Sequence, residues 1–390
     1  MSHESVAEHA GHHAAAHAIR EARRCQPAVP LPTGYGEIAY HAAYQRAAAN
    51  LRNGDEHVEL RPLEFDDRSA NRLRPATFDQ MIGQHRLKTL MARIVANVQA
   101  SGRPLSHTMV TGASGTGKTT IAQVAAHELG RTVYQVKAPV THAVLRQMQR
   151  QLKDGDVVIV DEIHQQVSGD RRGVSQAADP EDFYHIMEDR RLPVEGHMLP
   201  FPAVTFVGAT TDEGLLPEAF LNRFPLRLVL DPYTWEDMRD MAIANAHALG
   251  LTITDVAAIR LGRASRRIPR QLNTFVRNAQ DIMAPGAILD AHVADEVVFD
   301  LNGCTWDGLT IDMQRMLTTL LGSRRTKGRG EVVYQASVNT IATALGHSRD
   351  TKAVSLFVEP YLIGEGLVCV THGGRQLTED GITRALELAQ

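Results

Sequence analysis

Gly112-Ala113-Ser114-Gly115-Thr116-Gly117-Lys118-Thr119 is a complete Walker A loop, and its reading decides the fold. The stretch Leu105-Ser106-His107-Thr108-Met109-Val110 before it predicts a strand. After it, Ile121, Val124 and Ala125 repeat on one face of a helix that Gly130 stops. The chemistry needs that context. Glycines let the loop's N–H groups converge on phosphate oxygens, and the helix N-terminus adds partial positive charge. Lys118 reaches the β- and γ-phosphates, while the Thr119 hydroxyl completes a Mg2+ shell. The segment from Gly112 to Thr120 is expected to hold ATP with Mg2+.

The bulk of the chain is consistent with that use. Its 390 residues suffice for two to four compact units, with an ordinary hydrophobic fraction of 43% and a net charge of −4. No apolar run approaches the roughly 18 residues of a membrane-spanning helix. The N-terminus lacks the apolar centre of a signal peptide. Cys25, Cys304 and Cys369 are far apart and odd in number, which predicts neither a disulfide framework nor a zinc site. A reducing cytoplasm is the expected location.

Four regions follow from the patterning. Residues 1–70 are rich in Ala and His and read as an N-terminal extension, partly helical or disordered. There His9, His13 and His17 share one helical face, without a carboxylate or thiolate at metal-ligand spacing. From Asn71 to Leu230, the apolar runs Asp156–Val160 and Ala203–Val207 read as strands buried on both faces. Helical stretches lie between them, at His142–Leu152 and Glu181–Arg190. The expectation is an α/β P-loop NTPase with a doubly wound parallel sheet. Residues 231–305 read as a helical lid, with Thr234 and Asp237 spaced for a capping box.

The unit from Trp306 onward reads as a winged helix. It has a helix at Leu309–Leu321, a basic loop at Ser323–Gly330, a second helix at Ser337–Leu345, and a third at Asp350–Glu359 ending before Pro360. A hairpin of Leu367–Thr371 and Arg375–Thr378 follows.

The catalytic set follows from the same logic. Asp161 and Glu162 close an apolar strand, which suits Asp161 as the Mg2+ ligand beside Thr119 and Glu162 as the base that polarises the attacking water. Thr211, at the end of the next strand, is placed to orient that water or to cap a helix. Arg223 suits an arginine finger against a neighbouring subunit's γ-phosphate, with a surface salt bridge as the alternative. Arg270, aimed by Pro269, suits a sensor of γ-phosphate in the lid, with an ordinary solvated arginine as the alternative. Arg324, Arg325, Lys327 and Arg329 fall within six residues with no acid among them. They suit either contact with several DNA phosphates or a solvated loop.

Taken in order, these motifs resemble an AAA+ ATPase, and more closely the RuvB family. The resemblance rests on Leu73-Arg74-Pro75, Ile82-Gly83-Gln84, Asp161-Glu162-Ile163-His164, Met187-Glu188-Asp189, Gly208-Ala209-Thr210-Thr211, Arg223-Phe224, Pro269-Arg270 and Glu359-Pro360-Tyr361-Leu362-Ile363. It spans roughly residues 71–380. It implies a hexameric ring that drives branch migration of Holliday junctions by hydrolysing ATP. It also implies an adenine pocket lined by Arg74, Pro75, Ile82, Gly83 and Tyr233, with Arg375 touching DNA at the wing and Arg349 or Lys352 touching it on the second helix.

Three departures from the family pattern stand out. The family's long hairpin, used to dock the junction-binding partner RuvA, is expected to be short, because only Arg190 to Ala203 is available and Pro193, Pro200 and Pro202 interrupt it. The stretch after His164 is expanded, and its Arg171 and Arg172 suit either a DNA backbone or solvent. Asp212-Glu213 follows Thr211 where the family carries a basic residue. An ATP-gated DNA-binding switch, such as a helicase loader or replication initiator, is the rival expectation. A protein-remodelling ATPase is a third, and it leaves the winged helix without a purpose.

Overall fold

The computed structural model describes residues 60–63, 72–167, 177–194, 197–326, 331–346 and 351–389. The expectations placed on His9, His13, His17, Arg171, Arg172, Lys327, Arg329 and Arg349 concern residues outside these.

The chain folds its apolar runs into β1 (Thr108–Thr111), β2 (Val133–Lys137), β3 (Val157–Asp161), an inserted hairpin of β4 (Arg191–Val194) and β5 (His197–Pro200), then β6 (Thr205–Thr210) and β7 (Leu226–Val229). Five of them form one parallel sheet in the order β2-β3-β6-β1-β7. Alternate residues feed opposite faces. Met109, Val158, Val160 and Phe206 join one core with Phe183, Phe220 and Phe224. Val110, Val157, Ile159 and Val207 join another with Met91, Ile121 and Val124. Burial on both faces is why β3 and β6 read as unbroken apolar runs.

From β1 the chain crosses β6 and β3 to reach β2, while β7 lies on β1's other side. The two halves therefore part beside β1, and the phosphate loop leaves from its C-terminal end. That is where open α/β sheets bind ligands. The edge strand β2 was not anticipated from the sequence. Its exposed Gln135 and Lys137 interrupt the apolar pattern that marked the other strands.

The inserted hairpin is present and short, with four residues in each strand. Pro193 pairs with Met198 and Pro200 with Arg191. A lone two-stranded ribbon tolerates proline because each strand has a free edge.

Residues after Leu230 build a helical core from Met238, Ala242, Leu261, Leu272 and Phe275. The expected capping box is formed: Asp237 N–H donates to Thr234 Oγ1 and Thr234 N–H to Asp237 Oδ2, both at 3.0 Å. Two short paired strands, β8 (Thr252–Ile253) and β9 (Ile288–Leu289), close this unit.

The last core gathers Met313, Met316, Leu317, Ile341, Val354 and Leu362. Its antiparallel sheet contains β10 (Arg324–Thr326), β11 (Val332–Ala336), β12 (Val368–Thr371) and β13 (Gly374–Leu377), in the order β10-β11-β13-β12. With the helices it forms the expected winged helix, corrected in two places. Arg324–Thr326 is a strand paired with Val332–Tyr334, not a loop. The third helix does not stop before Pro360. A π-helical stretch, Val354–Val358, leads into the helix Glu359–Gly364, so the chain changes helical pitch where Pro360 enters without an N–H to donate. No helix among the described residues is long and apolar enough to cross a membrane.

Candidate functional site

The phosphate loop bends through left-handed backbone at Gly115 (φ +77°) and Gly117 (φ +100°), which glycine adopts without strain. Gly115 also has no room for a side chain: a Cβ there would lie 2.8 Å from Ile268 Cγ2. The next helix, Lys118–Glu128, aims its free N–H groups into the loop. The Lys118 ammonium donates to the carbonyl oxygens of Gly112 and Ala113, both at 2.9 Å. Burial lowers its pKa, an effect that Glu162 and Asp161 oppose.

Two carboxylates stand at the end of β3. Thr119 Oγ1 donates to Asp161 Oδ1 at 3.0 Å, and Gln135 Nε2 donates to Asp161 Oδ2. A hydroxyl and a carboxylate oxygen side by side are the hard donors that Mg2+ takes, so these residues fit that ion. Glu162 sits in left-handed backbone (φ +52°), because Ile163 N–H is drawn at once to Ala209 O of β6, 3.0 Å away. That kink turns the Glu162 carboxylate toward Thr211, whose hydroxyl donates to Oε2 at 3.2 Å. Gln135 and His164, which also contact these carboxylates, were missed as site residues. The sequence signals were a glutamine between Tyr134 and Val136 and the histidine ending Asp161-Glu162-Ile163-His164.

The remaining walls come from the segment before the first helix and from the helical unit. Arg74, Pro75, Ile82, Lys118, Thr119, Asp161, Glu162, Tyr233 and Arg270 line one cleft of about 740 Å³, with Met241, Asn245 and Asn273. That volume suits a nucleotide. Gly83, at φ +71°, lets the Tyr233 ring lie where its own Cβ would be, 2.8 Å from Cδ1. Tyr233 donates its hydroxyl to Thr116 O at 3.1 Å, and burial pushes the phenol up to about 12. Arg270 N–H reaches Gly115 O at 3.3 Å, so the helical unit and the phosphate loop touch directly.

Other expected residues lie apart from the cleft. Arg223 does not line it. Its Nε sits 3.0 Å from Glu188 Oε1 as an ion pair without hydrogen-bond alignment, its Nη1 donates to Ala219 O at 2.9 Å, and the guanidinium lies 4.5 Å from the Tyr184 ring centre. Asp212 and Glu213 have local tasks: Asp212 Oδ1 accepts from Gly214 N–H at 3.1 Å, and Glu213 Oε2 accepts from Thr111 Oγ1 at 2.8 Å. Arg324 and Arg325 are exposed on β10. Arg375, expected at DNA, is turned inward instead. It donates through Nε and Nη2 to both Glu359 oxygens, at 2.6 and 2.7 Å, and ties β13 to the third helix.

Comparison with known proteins agrees with this architecture. Residues 73–230 match the family model of the Holliday junction DNA helicase RuvB P-loop domain, and residues 332–385 match that of the RuvB C-terminal winged helix domain. The Holliday junction branch migration complex subunit RuvB of Rubrobacter xylanophilus is 30% identical over 331 residues, covering 83% of this chain and 89% of its own length. That of Kosmotoga olearia is 31% identical over 334 residues, covering 82% and 92%. The structure of the Thermotoga maritima RuvB Holliday junction branch migration motor superposes with a TM-score of 0.65 at 26% identity, covering 80% of this chain and 98% of that one. A phosphate-loop cleft shared with a helical unit, a C-terminal winged helix and relatives matched over most of their length lead to one conclusion: the chain belongs to the RuvB family.

Proposed function

We propose that the chain is an ATP-driven motor that migrates branched DNA, assembled as a homo-oligomeric ring, most simply a hexamer, and working where the cell's DNA lies, in the cytoplasm. The observation that carries this reading is the convergence of Lys118, Asp161, Glu162 and Arg270 on one cleft shared with the helical unit. We assign the ATPase domain to residues 71–230, the lid to 231–305 and the winged helix to 306–390.

In this mechanism Gly112 to Thr120 cradle the phosphates through their N–H groups, and Lys118 swings from the Gly112 and Ala113 carbonyls to the β- and γ-phosphates. Thr119 and Asp161 hold Mg2+, which when bound offsets charge on the phosphate oxygens. Glu162, steadied by Thr211, takes the proton of the attacking water. Arg270 reports the γ-phosphate to the lid. Arg223 leaves Glu188 to act on a neighbour's nucleotide. The winged helix carries the resulting strain to DNA, with Arg324 and Arg325 on the phosphate backbone. The short β4–β5 hairpin, with Met198 and Leu199 exposed at 40% and 37%, is the surface offered to a RuvA-like partner.

The test uses the full chain, ATP and a synthetic four-way junction, with and without a RuvA-type protein. ATP-dependent separation into duplex products supports the motor. Tight junction binding with no strand separation supports the ATP-gated switch, which the shortness of the hairpin favours.

A further inference from the structure

We propose that His164 is a positioning residue for hydrolysis, holding the Glu162 carboxylate in line by tying it to the end of β6. This rests on the reading of Glu162 as the base. His164 Nδ1 lies 3.0 Å from Thr210 Oγ1 and 3.5 Å from Glu162 Oε2. The imidazole is largely buried, and Thr210 is wholly so. Thr210 is itself fixed, since its Oγ1 accepts the Asp212 N–H at 3.0 Å. One buried hydroxyl therefore anchors both the histidine behind the base and the backbone just after Thr211.

The chemistry selects a tautomer. An Nδ1–H donor bonds Thr210 Oγ1 and turns its positive edge toward Glu162 Oε2, whereas the other tautomer would set a ring lone pair toward that carboxylate. Glu162 needs such an anchor because it stands in left-handed backbone at the kink after β3, where, among the described residues, the Thr211 hydroxyl is its one side-chain hydrogen-bond partner. His164 touches neither phosphate nor water in this scheme. Its effect is on where the base points, so it acts on the turnover step and leaves nucleotide binding alone.

The experiment compares His164→Ala, His164→Asn and His164→Gln in the full chain. It reads ATP turnover by phosphate release, ATP affinity by titration with a fluorescent analogue, and thermal midpoint. Asparagine places an N–H donor where Nδ1 stands; glutamine places one where Nε2 stands. His164→Ala is expected to lower kcat about tenfold, the scale of a slightly misplaced catalytic group, with ATP affinity within about twofold of wild type. His164→Asn should recover most of the loss, and His164→Gln should not. Wild-type turnover in His164→Ala overturns the proposal. So does an asparagine variant as slow as alanine, or a loss that follows the thermal midpoint across all three. A Glu162→Gln control separates the two levels: if it hydrolyses ATP normally, the assignment of the base fails first.

Discussion

Tyr233 donates its hydroxyl to the Thr116 carbonyl oxygen across 3.1 Å, joining the first residues of the helical unit to the middle of the phosphate loop. The same ring covers Gly83, whose missing side chain makes the space for it. The segment at Gly83 and the phosphate loop at Thr116 therefore meet the same aromatic side chain. The helical unit and the phosphate loop are linked directly at this point.

That bond has a pH signature. The folded pKa of Tyr233, about 12, is raised above the ordinary 10, so its stabilisation is complete below pH 10 and disappears as pH climbs toward 12. Tyr361, also raised by burial, loses its stabilisation over the same alkaline limb, so wild type and any Tyr233 variant share that background. Tyr233→Phe should cost about 1 kcal/mol at neutral pH, the scale of one buried hydrogen bond. It should also flatten the fall of the thermal midpoint between pH 10 and 12. Parallel alkaline limbs in the two proteins would count against the assignment.

The Glu359–Arg375 pair sets the acid side. Arg375 holds the Glu359 carboxyl below its ordinary 4.5, against the opposing effect of burial. A lowered carboxyl pKa stabilises fully above pH 4.5, and the contribution is lost as pH falls through the folded value. Side-chain exposures of 8% and 19% leave little solvent to replace the bond. Glu359→Gln should lower stability by about 2 kcal/mol and shrink the acid-dependent loss below pH 4.5. Thermal melts from pH 3 to 7 read both.

How much of this was legible in the sequence depended on range. The phosphate loop, the carboxylates ending β3 and the Thr234–Asp237 capping box depend on neighbours a few residues away, and all three stand as expected. The contacts of Gln135 and His164 were not legible, because they exist only once β2, β3 and β6 lie side by side. Arg375 was expected at DNA from the family resemblance, and its bond to Glu359, 16 residues earlier on another element, has no local sequence signal. Arg324 and Arg325 read as loop because a three-residue strand carries no period of its own.

Arg223 is held by Glu188, Ala219 and Tyr184 within its own chain. Arg223→Ala should still bind ATP and assemble, and should lose at least about 100-fold in turnover, as finger removal does elsewhere. Glu188 is more than half exposed, so the lost ion pair should change stability by under about 1 kcal/mol. Sedimentation and phosphate release on the same sample separate the two effects. Normal hydrolysis by assembled Arg223→Ala would remove the finger assignment.

For Arg324 and Arg325, the expected observable is the salt dependence of junction binding. Each phosphate contact contributes about −0.9 to the slope of log K against log salt, so the double alanine variant should bind with a slope shallower by about 1.8. An unchanged slope would move the DNA contact elsewhere on the winged helix.

The most direct measurement is steady-state phosphate release by the wild type and by Glu162→Gln, each with and without four-way junction DNA, alongside nucleotide binding. The expected result is turnover in the wild type that rises when the junction is added, with Glu162→Gln binding ATP equally well and hydrolysing it at least about 100-fold more slowly in both conditions. Equal turnover in the two proteins, or a wild-type rate indifferent to the junction, would contradict the account of an ATP-driven DNA motor.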